Sequence, residues 1–159
     1  IADGWLPIFY SPRIATMYNE WLDEGFARPG ARHTRETFEI CATAQVVVTD
    51  DRPAILELMK PHLALYVGGM GAEGTNFHAD VYRRMGYAEV VDEVTKLFRS
   101  DRKDEAAKVI PDELVDDSAI VGDLAYVQEQ IKAWEASGVT MMVVGARSSE
   151  QIRDLAALV

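Results

Sequence analysis

The sequence predicts an α/β fold with a parallel sheet. Three observations carry the prediction. Two runs rich in β-branched and apolar residues, 37–49 and 140–144, read as buried strands. Segments with helical periodicity lie between and after them. Proline and glycine fall at the joints rather than inside the runs. Strands that alternate with helices pair in parallel.

The elements follow in chain order. Trp5-Leu6-Pro7-Ile8-Phe9 is a short strand that ends at or just after Pro7, since proline cannot donate to a ladder. Ser11-Pro12 opens a helix, with Ser11 as N-cap and Pro12 in the first turn. Ile14, Met17, Tyr18, Trp21 and Leu22 recur at helical spacing, and the helix ends near Gly25. A basic loop with Pro29 and Gly30 leads to the strand 37–49, which reads as apolar on both faces. Asp50-Asp51-Arg52-Pro53 places carboxylates at the positive end of the next helix. Ile55, Leu58, Met59, His62, Leu63 and Tyr66 would form its apolar face, and Pro61 should kink it. Residues 67–74 are glycine-rich. Residues 75–117 read as mostly helical: 77–85, 87–100, 103–109 and 112–115. Ala119 to Asp123 leads into a helix carrying Leu124, Val127, Ile131 and Trp134, stopped by Gly138. Thr140 to Val144 is the last strand, and Ser148 caps a final helix with Ile152, Leu155, Leu158 and Val159 on its face.

A chain of 159 residues, 48% apolar, can bury one core. Sixteen basic against 26 acidic residues leave a net charge of −10. Such a surface repels phosphate backbones and acidic leaflets, so neither nucleic acid nor membrane is an expected partner. No apolar run approaches the roughly 20 residues of a membrane helix, and no signal peptide opens the chain. A single cysteine, Cys41, excludes an internal disulfide and suits a reducing cytoplasm. The start, Ile1-Ala2-Asp3-Gly4-Trp5, has no tail character and reads as the interior of a longer chain. Three strands are too few for a closed barrel, which takes roughly 250 residues. The pattern suits the last three βα units of a TIM (β/α)8 barrel, with a helical insertion over about 75–117 between strands seven and eight. On this reading residues 1–159 are the C-terminal part of one domain.

Four segments in order resemble the luciferase-like family in its F420-dependent branch. They are Ala2-Asp3-Gly4-Trp5-Leu6-Pro7, then Val46-Val47-Val48-Thr49-Asp50-Asp51, then Leu65-Tyr66-Val67-Gly68-Gly69-Met70-Gly71. The last joins Val121-Gly122-Asp123 to Trp134-Glu135-Ala136-Ser137-Gly138-Val139. The resemblance spans the whole chain. It implies a partial TIM barrel, usual homodimerisation, and hydride transfer between coenzyme F420 and a small organic substrate. A flavin (FMN)-dependent monooxygenase is the nearest variant. The resemblance also implies that the family's acid/base residues and most cofactor contacts lie in the first five strands, absent here. The isolated piece would therefore be catalytically inert, binding no cofactor itself. A second expectation is of another class: an inert half-barrel whose open strands and apolar faces drive self-association.

Candidate site residues lie at the carboxyl ends of the strands, where a barrel holds its chemistry. Trp5, Pro7 and Tyr10 follow the first strand, and Arg13 could meet an anionic substrate group; the alternative is a core tryptophan and a solvated arginine. Tyr66 and Met70 border the glycine loop as pocket or packing residues. Arg147, in Gly145-Ala146-Arg147-Ser148, follows the last strand at a helix start that suits an anion. Gly69-x-Gly71-x-x-Gly74 matches the dinucleotide fingerprint of a NAD-binding Rossmann domain. That mechanism needs a strand directly before the glycines, whereas the preceding segment is helical. His33, His62 and His78 lack metal-ligand spacing, and His62 reads as a core residue. Cys41 reads as an inert buried thiol, and Asp116-Asp117 as a solvated turn. No Ser-His-Asp set, P-loop or EF-hand pattern is present, and no catalytic residue is assigned.

Overall fold

A computed structural model describes residues 2–72, 74–146 and 148–158. Its centre is β2 (Glu39–Val48), which pairs in parallel with every other strand described. β1 (Gly4–Trp5) lies against its start, with Gly4 opposite Glu39. β4 (Met141–Val144) pairs with 41–44, Cys41 facing Met141 and Ala44 facing Val144. β3 (Ala119–Gly122) pairs with the second half, from Gln45 opposite Ala119 to Val48 opposite Gly122.

Eight α-helices complete the described residues: α1 (Ala15–Phe26), α2 (Arg52–Ala64), α3 (Phe77–Arg84), α4 (Ala88–Arg99), α5 (Lys103–Lys108), α6 (Asp112–Asp116), α7 (Leu124–Ala136) and α8 (Ser149–Ala156). A 3-10 turn, Pro12–Ile14, precedes α1, and a π-helical turn, Leu65–Gly69, prolongs α2. Side-chain caps fix the starts. Ser11 Oγ accepts from Arg13 N at 3.2 Å, Asp51 Oδ1 from Ala54 N at 3.3 Å, Asp123 Oδ1 from Tyr126 N at 2.8 Å and Ser148 Oγ from Gln151 N at 3.2 Å.

Two apolar cores result. One lies between the sheet and its helices, where Ile40, Ala42, Ala44, Val46 and Ile120 meet Tyr10, Tyr18, Val127 and Trp134. Tyr10 is sealed there, and its hydroxyl donates to Ser137 Oγ at 3.0 Å. The other gathers α2, α4, α5 and α6 around Leu56, Val91, Ile110 and Leu114, closed by Ala119 and Val121 of β3. The helices of 77–116 thus share a core with α2, which the sheet reaches through β3 and Val47 of β2.

Several expectations need correction. The described residues contain four strands, not three: Ala119–Gly122 is a fully buried strand, too short for its pattern to distinguish it from a helix lead-in. β1 is only Gly4–Trp5, because pairing ends before Pro7. β2 is not buried on both faces. Ile40, Ala42, Ala44 and Val46 are buried, but Cys41, Thr43 and Gln45 are not, so the helices cover one face. Cys41 is therefore half-exposed, 3.4 Å from Met141 Sδ. The α2 face is rotated from the one expected. Leu56, Lys60, Leu63 and Ala64 are buried, while Leu58 and His62 are exposed. Lys60 is drawn inward because its ammonium pairs with Glu57 and, at 2.8 Å, with Asp112 of α6. The helix continues through Pro61 and relaxes into the π turn that follows. On α7, Leu124 is exposed while Val127 and Trp134 are buried.

Candidate functional site

The parallel register brings the carboxyl ends of β2 and β3 level, at Val48 and Gly122. α2 and α7 start after these ends, and α8 starts after β4, whose last residue Val144 pairs with Ala44. The loop after β1 runs through Phe9, whose backbone is left-handed at φ 53°. A phenylalanine held there costs backbone strain that its surroundings must compensate. Its ring is gripped by Tyr66 and Tyr82, each 5.3 Å away between centroids, and by His78 at 5.9 Å. Tyr66 in turn packs on His78 at 5.0 Å and His62 at 4.7 Å. An aromatic box therefore joins the β1 loop to the π turn and to α3.

The remaining expected residues separate. Trp5 packs edge-on against Tyr18 at 5.0 Å, Pro7 is buried, and Tyr10 is enclosed. These three build the wall behind the rim. Arg13 has one face in solvent but is engaged: it pairs with Asp117 at 3.2 Å, donates to the Met85 carbonyl and lies 5.1 Å over the Tyr87 ring. Met70 is exposed next to the π turn, and Tyr66 is half-buried in the box. Arg147 lies outside the described residues.

The glycine segment does not follow a strand, so the Rossmann arrangement is not formed. The π turn precedes it, and its glycines serve packing. A Cβ at Gly68 would stand 2.7 Å from Phe98 Cβ and 3.0 Å from the Val94 carbonyl oxygen.

The acidic pair before β3 is where sequence reading missed most. Asp117 is buried, not solvated. It accepts from Tyr87 Oη at 2.7 Å and Ser11 Oγ at 3.3 Å besides pairing with Arg13. Burial, then the neighbouring Asp117, pushes the Tyr87 phenol up to about 12. Asp116 pairs with Arg52, which also donates to the Val121 carbonyl at 3.1 Å. Burial raises the Asp116 carboxyl above the usual range, against the pull of Arg52. No local pattern announces this: two adjacent aspartates look the same in a turn and in a clamp.

His78 is the other missed residue. It is 6% exposed, its Nδ1 is sealed without a hydrogen-bond partner, and burial lowers its pKa below the ordinary imidazole value. Among the described residues no group of three His, Cys, Asp or Glu side chains could hold a metal ion. A separate apolar cleft of about 500 Å³ opens between α7, β4 and α8, lined by Ile131, Met142, Val144, Ile152 and Leu155. It lies on the helix-covered side, away from the aromatic box. No helix among the described residues is long and apolar enough to cross a membrane.

Comparison with known proteins matches the family model described as "Luciferase-like monooxygenase" to residues 1–141. A Mycobacterium tuberculosis protein with the curated name "Putative coenzyme F420-dependent oxidoreductase Rv3520c" is 77% identical over all 159 residues, which make up 46% of that protein. A solved structure of coenzyme F420-dependent tetrahydromethanopterin reductase from Methanopyrus kandleri superposes with a TM-score of 0.71 at 18% identity. The superposition covers 98% of this chain and 43% of the reductase. It shows the fold, that of a partial barrel. The chain thus spans under half the length of each of these relatives.

Proposed function

The chain belongs to the luciferase-like monooxygenase family, and from that premise we propose that the whole protein is an F420-dependent oxidoreductase. In this reading a small organic substrate exchanges hydride with the cofactor, and the present residues supply the substrate-side part of the site. The observation that carries it is the 77% identity, over every residue here, to a relative bearing that name.

The rim suits a cofactor with an anionic tail at one place. The starts of α2 and α7 are capped by Asp51 and Asp123, whose carboxylates repel an anion. The start of α8 is capped by the neutral Ser148 and preceded by Gly145 and Arg147, which favour one. When bound, F420 supplies the hydride-carrying deazaflavin ring. Ser148, Gly145 and Arg147 would seat its tail, while Tyr66 and Met70 would border substrate. The test is fluorescence titration of the full-length protein with F420 and with FMN. F420 should bind, and Ser148→Asp, which keeps a good cap but adds a charge, should weaken it on the order of tenfold. Binding of FMN with none of F420 would replace this reading by the flavin-dependent one.

A second reading rests on the uncovered side of the sheet. Met141 and Val143 are exposed there beside Cys41 and Thr43, apolar side chains that favour burial against something. On this reading the 159 residues alone are inert and associate with a second copy. Light scattering decides it: a monomer that turns over F420 would refute both parts.

A further inference from the structure

We infer that Phe77 and His78 form a gated seat for an uncharged ring compound bearing one hydrogen-bonding oxygen, the substrate class of the site proposed above. This rests on that proposed reading for its catalytic meaning, and on the following geometry for its existence.

His78 is enclosed by rings. Phe9 lies 5.9 Å away, Tyr66 5.0 Å and Phe77 4.0 Å between centroids. Its Nδ1 has no partner in this enclosure. A buried polar atom left so is costly, and a ligand oxygen that reached it would recover that cost. Burial also lowers the imidazole's pKa below its ordinary value.

The backbone at this point is fixed and the cover is loose. Asn76 caps α3 by accepting from His78 N at 3.1 Å and Ala79 N at 3.2 Å. The same side chain donates to the Tyr66 and Val67 carbonyls at 2.7 and 2.8 Å. The start of α3 is thereby bound to the π turn. Phe77, in contrast, is 65% exposed while its ring lies on His78. A rotation of that one side chain removes the exposed ring of the three from the imidazole without moving the helix.

The surroundings set the ligand's charge and shape. Arg13 and Arg52, in the turns after β1 and β2, are paired with Asp117 and Asp116. The faces of Phe9, Tyr66 and Phe77 offer stacking to a flat or cyclic apolar body. Exposed Leu6 and Ile8 in the β1 loop extend the apolar surface. Phe9 maintains its strained backbone at the centre of this surface, as residues at ligand-binding positions often do.

The experiment is imidazole NMR on the full-length protein titrated with cyclohexanone, and separately with benzoate as an anionic control. Cyclohexanone should move the His78 ring resonances saturably, with benzoate at least tenfold weaker. Phe77→Ala should bind cyclohexanone as well as the parent or better. His78→Phe, which keeps the ring volume, should weaken it about tenfold, the worth of one hydrogen bond. Unmoved His78 resonances, undiminished binding by His78→Phe, or preference for benzoate would each overturn the seat. F420 binding is followed in parallel. If F420 binds and cyclohexanone leaves His78 unmoved, the seat fails and the functional reading survives. If cyclohexanone titrates His78 and F420 does not bind, the seat stands and the functional reading fails.

Discussion

Replacing Asp117 by alanine should cost about 3 kcal/mol of stability. Three donors converge on this carboxylate: Tyr87 Oη at 2.7 Å, Arg13 at 3.2 Å and Ser11 Oγ at 3.3 Å. Hydrogen bonds to a charged acceptor contribute about 1.5–3 kcal/mol when buried. Tyr87 falls in that range, and Ser11, at the long distance, near its bottom. The Arg13 side chain is half in solvent, so its ion pair adds under about 1 kcal/mol. Equilibrium urea unfolding of the full-length protein is the assay, where such a loss lowers the midpoint by about 1 M, since the slope of about 3 kcal/mol/M or more grows with chain length. Asp117→Asn keeps one acceptor oxygen and should cost about half as much. A cost below about 0.5 kcal/mol for the alanine would refute the clamp. The phenol of Tyr87 gives a second readout. Its pKa is raised from 10.0 to about 12, first by burial and then by Asp117. A raised acid pKa means the stability it contributes is complete below pH 10 and lost as pH climbs from 10 to 12. Asp117→Asn should bring the Tyr87 titration down, leaving only the part that burial causes.

Two glycines test the packing of the remainder. Gly68→Ala drives a Cβ to 2.7 Å from Phe98 Cβ beside a backbone oxygen, so unfolding studies should show a loss of about 1–3 kcal/mol. Gly25, within α1, has nothing within 4 Å of a built Cβ, and Gly25→Ala should stabilise by up to about 1 kcal/mol. Equal effects at the two positions would contradict the close approach of α4 to the π turn.

The sequence made the architecture legible wherever a signal was local. Ser11, Asp51 and Ser148 were readable as caps because a cap needs only a short polar side chain before a helix, and each accepts the backbone N–H expected of it. Gly138 was readable because only glycine sits easily at φ 100°. What failed depended on partners distant in sequence. The face of α2 turns on Lys60 finding Asp112, fifty-two positions on. The half-open state of β2, by contrast, was present as an alternation, Glu39, Thr43 and Gln45 against Ile40, Ala42, Ala44 and Val46, which the apolar content of the run obscured. The site followed the same division. Topology pointed to the strand ends, but the contacts made there could not be read from the sequence. Tyr10 and Trp5 have the composition of pocket residues and the contacts of core residues. His78 has the composition of a surface helix start and the environment of a sealed site.

The two aspartates before β3 explain how the helical segment relates to that site. Asp117 reaches the turn after β1 through Arg13 and Ser11, and Asp116 reaches the turn after β2 through Arg52. Side chains of neighbouring residues diverge, so one dipeptide can hold two separate βα turns. The helices of 77–116 pack into an apolar core that they share with α2 and with Val47, Ala119 and Val121 of the sheet. That shared core gives cohesion. Placement comes from polar contacts that end in β1 and β2 loops, and directional bonds fix orientation where apolar contact alone would slide. Phe9 belongs to one of those loops and His78 to one of those helices. The clamp is thus what sets the distance across the aromatic box, and a shift of the segment by an ångström would open or crush it.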